Sequence, residues 1–275
     1  MLAYPDVASL PLTPDLAVVC TPPCTVPGLI AELGARGARA AVVITAGLEG
    51  EGDQPGQSLQ QATLADARAH DMRLLGPNCV GLLVPGIGLN ASFAHTQPLP
   101  GNIAFVTQSG ALATVVLDRA KSDGIGFSGF ISLGNSVDVD CADVLEYLAT
   151  DPATQAILLY LESIGDAPKF LTAARAAARA KPILAVKAGR VGEGAQAAYS
   201  HTGALAGVDA VFAAALRRAG ILRVDTVEDL FTAVETLART RPLPGERLAI
   251  LTNGGGPGVM ATDALVLRGG GLASL

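Results

Sequence analysis

The chain has 275 residues, half of them hydrophobic, with 25 Asp and Glu against 19 Lys and Arg and a net charge of −6. That balance, with only 4% aromatic residues and no Trp, argues against a basic nucleic-acid footprint or a stacking platform for single strands. No apolar run approaches the ~20 residues of a membrane span, and the start has neither the basic nor the apolar stretch of a secretion signal, so a cytoplasmic protein is expected.

In chain order, short Val- and Ile-rich runs alternate with longer amphipathic, Ala-rich ones. Strands are predicted near 16–20, 40–45, 72–75, 103–107, 127–132, 156–161, 182–187, 221–224 and 247–252. Helices are predicted near 26–36, 57–70, 110–122, 141–150, 167–180, 204–219, 226–239 and 258–267. Continuously apolar strands suit parallel sheets covered on both faces. The βαβ alternation predicts an α/β chain with parallel-sheet, three-layer domains. Thr25 with Pro27 reads as a helix start, and Asp151-Pro152 as a break. Pro- and Gly-rich joints at 97–101 and 241–245 divide the chain into 1–96, 97–240 and a third piece, 241–275, of one strand and one helix. The run from Ile103 to Gly110 echoes Leu248 to Gly255, each a strand followed by a small-residue turn and a helix. Cys20, Cys24, Cys79 and Cys141 lack the second pair of a zinc site and are expected to be small buried thiols in a reducing compartment.

Ligands of such sheets bind at the carboxyl ends of strands, so the loops there carry the information. Thr107-Gln108-Ser109-Gly110 follows a strand and opens a helix. Ser109 can cap, and Gly110 lets an anion approach free N–H groups, or the turn is an ordinary N-cap. His201 stands in Tyr199-Ser200-His201-Thr202-Gly203-Ala204-Leu205, ahead of another helix. A neutral imidazole there can take a phosphoryl group, or be a plain surface or packed histidine. Glu162 ends the strand 156–161, where it can fix an imidazole tautomer or lie in solvent. Gly76-Pro77-Asn78-Cys79 presents Asn78 on a rigid turn or is only that turn. Thr21-Pro22-Pro23 and Thr45-Ala46-Gly47 each follow a strand and can line a groove or serve as simple loops. Asn253–Gly258 is glycine-rich but lacks the Lys of a phosphate-binding loop. A serine hydrolase built on Ser109 and His201 lacks both the elbow glycines and an orienting Asp.

Together these loops resemble one family. The segments are Cys20–Pro27, VVITAG at 42–47, GPNCVG at 76–81, VTQSGAL at 106–112, SLGNSVDVD at 132–140, LYLES at 159–163, SHTGALAG at 200–207 and TNGGGPGVMATDA at 252–264. The chain is similar to the NDP-forming acyl-CoA synthetases, relatives of the succinyl-CoA synthetase α subunit. Some members are fused to a protein acetyltransferase. The resemblance implies a partial Rossmann-like CoA-binding domain over 1–96, a flavodoxin-like ligase domain over 97–240, and the first βα unit of a further flavodoxin-like domain over 241–275.

It also implies roles. His201 falls on the phosphorylated histidine and Glu162 on the carboxylate that holds it. Ser109-Gly110 and Gly203-Ala204, with Thr202 beside them, open the helices facing the phosphoryl group. Thr21, Pro22, Pro23, Thr45 and Gly47 line coenzyme A, Asn78 lies between CoA and acyl phosphate, and Asn135 lies by the acyl site. The implied reaction joins acyl-CoA, phosphate and NDP to acid, CoA and NTP, through acyl phosphate and phosphohistidine. ATP or ADP with Mg²⁺ would be held by an ATP-grasp partner domain or subunit. Relative to the family, the glycine-rich first βα turn and the remainder of the third domain are missing. An internal fragment, a misplaced start and a degenerate copy are therefore all expected possibilities, as is self-association or a partner chain. The alternative is a non-catalytic CoA-sensing or scaffolding module serving an acetyltransferase or ligase partner.

Overall fold

The computed structural model describes residues 3–50, 52, 56–190, 209–239 and 245–274. They fall into two compact units, Met1–Ala238 and Arg239–Leu275.

The first unit holds two sheets. The smaller comprises β1 (Leu16–Val19), β2 (Ala40–Val43) and β3 (Arg73–Leu75), parallel and in that order. Helices α1 (Val26–Ala35) and α2 (Leu59–Ala69) connect them. Alternation across the strands decides what each face covers. Val19, Ala41, Val43 and Leu74 pack with Val26, Ile30, Leu33 and Ala67 of the helices. Val42 and Leu75 point the other way, into the core of the larger sheet. The small sheet is thus buried on both faces, which is why its strands read as unbroken apolar runs.

The larger sheet has seven strands. After β4 (Gly81–Val84) and β5 (Leu89–Ser92) come β6 (Leu99–Thr107), β7 (Gly126–Ser132), β8 (Ala156–Leu161), β9 (Ile183–Lys187) and β10 (Leu222–Val224), in the spatial order β10-β9-β8-β6-β7-β4-β5. β6 to β10 are parallel, and β4–β5 adds an antiparallel hairpin beside β7. Helices α3 (Gly110–Ser122), α4 (Cys141–Thr150), α5 (Ala167–Ala180), α6 (Asp209–Ala219) and α7 (Val227–Arg239) alternate with these strands. Residues from α4, α5 and α6 pack with one core cluster of the sheet, and residues from α3 and α7 with a second. The α/β class and the parallel sheets agree with the sequence.

Three local details differ. The hairpin 81–92 was not predicted as strands and pairs into the larger sheet. Its strands are four residues each, too short for alternation to stand out, and only the Pro85–Gly88 turn betrays it. Of the joint at 97–101, residues 99–101 are not bare loop but the start of β6, whose register with β7 is irregular there. Thr25 does not cap α1 with its side chain, because its hydroxyl bonds Thr21 Oγ1 and Pro22 O instead.

The second unit is one β–α–β element. β11 (Arg247–Leu248) and β12 (Gly271–Leu272) pair in parallel and α8 (Gly255–Leu267) joins them. The strand predicted to reach 252 stops at 248, where, among the described residues, it pairs with the two residues of β12. No described helix is long and apolar enough to cross a membrane.

Candidate functional site

The order β10-β9-β8-β6-β7 contains a reversal. β6 runs on to β7 on one side, and the chain then returns to place β8 on the other. Ligands of open α/β sheets bind outside the carboxyl ends of strands at such a point. Two loops meet there, Thr107–Gly110 after β6 and Glu162–Ser163 after β8.

Gln108 staples them. Its Oε1 accepts the backbone N–H of Glu162 at 2.7 Å and of Ser163 at 3.1 Å, and its Nε2 donates to Ser163 O at 3.0 Å. Ser109 caps α3 by accepting the Leu112 N–H, and its own N–H donates to Thr107 Oγ1. The first turn of α3, including Gly110 and Ala111, therefore opens at the switch point with its positive dipole end outward.

The small sheet delivers the opposite wall. Thr45 Oγ1 donates to Thr21 O at 2.8 Å, and a side chain at Gly47 would touch Pro23, so the two loops after β1 and β2 lie against each other. The loop after β3 continues the wall. Asn78 takes a left-handed φ of 57° and donates its N–H to Thr45 O, a conformation Asn tolerates better than most residues. Gly134, in the loop after β7, comes so close that an added Cβ would lie 2.1 Å from Pro77 O. Asn135 then ties the walls together. Its Nδ2 donates to Glu49 Oε1 at 2.7 Å and Gln60 Oε1 at 3.3 Å, and its Oδ1 accepts from Asn78 Nδ2 at 3.2 Å.

Between these loops lies a cavity of about 710 Å³. Of the residues expected at the site, its wall holds Asn78, Gly110, Asn135 and Glu162. Thr21, Pro22, Pro23, Thr45, Gly47 and Ser109 adjoin these loops but do not line the cavity, although Ala46 does. His201, Thr202, Gly203 and Ala204 lie outside the described residues. Glu49, Gln60, Phe93, Gln108 and Ser163 line the cavity and were not singled out by the sequence. Gln108 could have been found as the remaining polar side chain of the Thr107–Gly110 turn. Glu49 and Gln60 carry no local signal.

The electrostatics are asymmetric. Among the described residues the lining carries two carboxylates, Glu49 and Glu162, and no Lys, Arg or His, and the backbone N–H groups opening α3 are donors there for an anion. Burial and then the nearby Glu162 push the Tyr160 phenol up. Lys187 ends β9 opposite Leu161 and is almost fully buried, with its ammonium on Ala188 O and 5.2 Å from the Phe212 ring centre. Burial lowers its pKa, Asp209 works against that, and Glu162 contributes in the same sense as Asp209. Cys79 also lines the cavity, but burial pushes its thiol up to about 12. A thiol held protonated is no nucleophile at neutral pH. Cys141 is buried as expected, whereas Cys20 and Cys24 are exposed, because they flank the loop that leaves β1.

Comparison with known proteins accords with this geometry. Residues 100–237 match the succinyl-CoA ligase like flavodoxin domain, and residues 1–85 match a CoA binding domain. The chain belongs to the NDP-forming acyl-CoA synthetase family. It is 43% identical over 95% of its length to an ADP-forming acetate–CoA ligase I of Archaeoglobus fulgidus, of which it covers 38%. It is 41% identical over 99% of its length to the α subunit of an ADP-forming acetate–CoA ligase II of Pyrococcus furiosus, of which it covers 59%. A solved structure of the acetyl-coenzyme A synthetase 1 of Candidatus Korarchaeum cryptofilum, in complex with phosphate and ADP, superposes with a TM-score of 0.90 at 39% identity. It covers 99% of this chain and the chain covers 59% of it. The chain thus spans well under two thirds of these relatives.

Proposed function

We propose that the chain is the CoA- and phosphohistidine-bearing portion of an acid–thiol ligase, interconverting acyl-CoA, phosphate and NDP with acid, CoA and NTP. The observation that carries this reading is the switch point itself. A carboxylate, Glu162, and the open end of α3 share one cavity with loops of the CoA-binding sheet; Gln108 fixes one wall and Asn135 ties it to the other.

The steps follow from the chemistry. Phosphate oxygen attacks the thioester carbonyl, the C–S bond breaks, and CoA leaves as thiolate. The phosphorus of the resulting acyl phosphate is then attacked by a ring nitrogen of His201, and the P–O bond to the acyl group breaks to release carboxylate. Phosphohistidine finally passes its phosphoryl group to a nucleoside diphosphate. Glu162 acts as a positioning residue. Its carboxylate accepts a hydrogen bond from the N–H of the other ring nitrogen and so fixes the tautomer that attacks. The opening of α3 at Ser109-Gly110 supplies N–H groups to the phosphoryl oxygens, and Thr202, Gly203 and Ala204 bind the same group. Thr21–Pro23, Thr45 and Gly47 hold CoA, Asn78 stands between CoA and acyl phosphate, and Asn135 borders the acyl group. Nucleotide and Mg²⁺ belong to an ATP-grasp partner domain or subunit, a division that the α-subunit relative supports. The first unit supplies the CoA and phosphoryl sites, and residues 241–275 begin a further flavodoxin-like domain. Such substrates place the reaction in the cytoplasm.

The test is thiol release. On adding phosphate to the protein with acetyl-CoA, one equivalent of free CoA per chain is expected. No release with phosphate, or release independent of it, would remove the ligase reading and leave a CoA-holding module.

A further inference from the structure

The cavity has a polar and an apolar end. Gln108, Glu162 and Ser163 sit at the ends of β6 and β8. Along the same carboxyl edge, past β7, stand Val80 just before β4 and Phe93 just after β5. Strands lie about 4.8 Å apart, so β4 is roughly 10 Å from β6. Gly110 and Ala111 bridge the two ends, and a side chain at Gly110 would reach Val80 Cγ2 at 3.4 Å. An apolar wall of Val80, Ala111 and Phe93 therefore begins where the α3 N–H groups end.

Phe93 is the unusual member. Phe105, Phe127, Phe130 and Phe170 are fully buried, whereas Phe93 is 61% exposed and belongs to none of the core clusters. Its backbone is nevertheless fixed. Its N–H donates to Val80 O at 3.1 Å, and Gly81, at φ 117°, packs so close that a Cβ would lie 2.2 Å from Ala91 O. A large exposed apolar ring held at a cavity wall is informative in a way that a scattered surface leucine is not.

We infer that Phe93 determines acyl-group size. Its ring closes the apolar end of the cavity against the tail of the acyl chain whose carbonyl lies at the Gln108–Glu162 end. This rests on the ligase reading above. The competing role, covering the arm of CoA, touches a part common to every thioester and so affects all of them alike.

The experiment compares rate constants for phosphate-dependent CoA release from acetyl-, butyryl- and phenylacetyl-CoA in the full chain, Phe93→Ala and Phe93→Trp. A pocket discriminates by roughly tenfold or more per added or removed methylene. Phe93→Ala should therefore raise the phenylacetyl-to-acetyl ratio by about tenfold or more, and Phe93→Trp should lower it. Thermal melting reports whether each variant folds, and the Trp variant carries the test if the Ala variant does not. Ratios unchanged in a folded variant, or all three rates falling together, overturn the assignment while leaving the ligase reading in place. No release from any thioester by the unmodified chain overturns both.

Discussion

Gln108 and Glu162 show what one side chain does at this site. The Gln108 amide satisfies two N–H groups and one carbonyl from the loop after β8, and a partly buried donor left without its acceptor costs about 1–3 kcal/mol. Gln108→Ala should therefore lower the unfolding free energy by about that amount, read from urea midpoints. Glu162→Gln should slow phosphoryl uptake by roughly tenfold to a hundredfold, the scale of losing a partner that orients an imidazole. CoA affinity by calorimetry should not change. An unaltered uptake rate would remove Glu162 from the site. The place of Glu162 at the cavity wall was legible because it directly follows a buried strand at the ligand edge. Gln108 stands in a turn the sequence marks, but its bonds were not legible, since its partners lie 54 and 55 residues away and no local pattern encodes that reach. The pairing of Asn135 with Glu49, 86 residues apart, is hidden for the same reason.

At the scale of elements, the loop from β7 to α4 decides whether the walls meet. Gly134 sits at φ 56° with Pro77 O in the space a Cβ would need. Gly134→Ala should cost about 2 kcal/mol or more and lower acyl transfer together with stability. Further along, Asp138 accepts the Leu74 N–H and the Arg73 Nε–H, pinning the loop to β3. Asp140 caps α4 in a reciprocal box with Asp143, and Lys169 of α5 bonds both carboxylates. Burial works to raise the Asp143 carboxyl, but the Asp140 backbone N–H and the Lys169 ammonium outweigh it and hold the carboxyl below its ordinary range. A depressed carboxyl contributes stability above its ordinary pKa near 4, and that contribution is lost as pH falls through the lower folded value. The advantage of the unmodified chain over Asp143→Asn in urea midpoint should accordingly be present at about pH 6 and shrink below about pH 4. An advantage constant with pH would contradict this account. The long helices were legible from their period and their punctuation. The 81–92 hairpin was not, because two four-residue strands around a Pro-Gly turn carry little periodic signal.

At the scale of the whole first unit, a three-stranded parallel sheet and a seven-stranded, mostly parallel sheet share a core through Val42, Leu75 and Cys79. That shared core sets the loops at their carboxyl ends around one cavity. The parallel α/β class could be read from unbroken apolar strands, and the ligand edge from the rule that follows from the class. The packing of one sheet on the other could not, since Val42 looks no different in sequence from Val43, yet the two face opposite cores. The claim on which the account turns is that this cavity passes phosphate from acyl-CoA to His201. Intact-mass spectrometry after incubation with acetyl-CoA and phosphate measures that transfer directly. One phosphoryl group per chain, absent from His201→Gln, is the predicted result, and an adduct that persists in His201→Gln would contradict it.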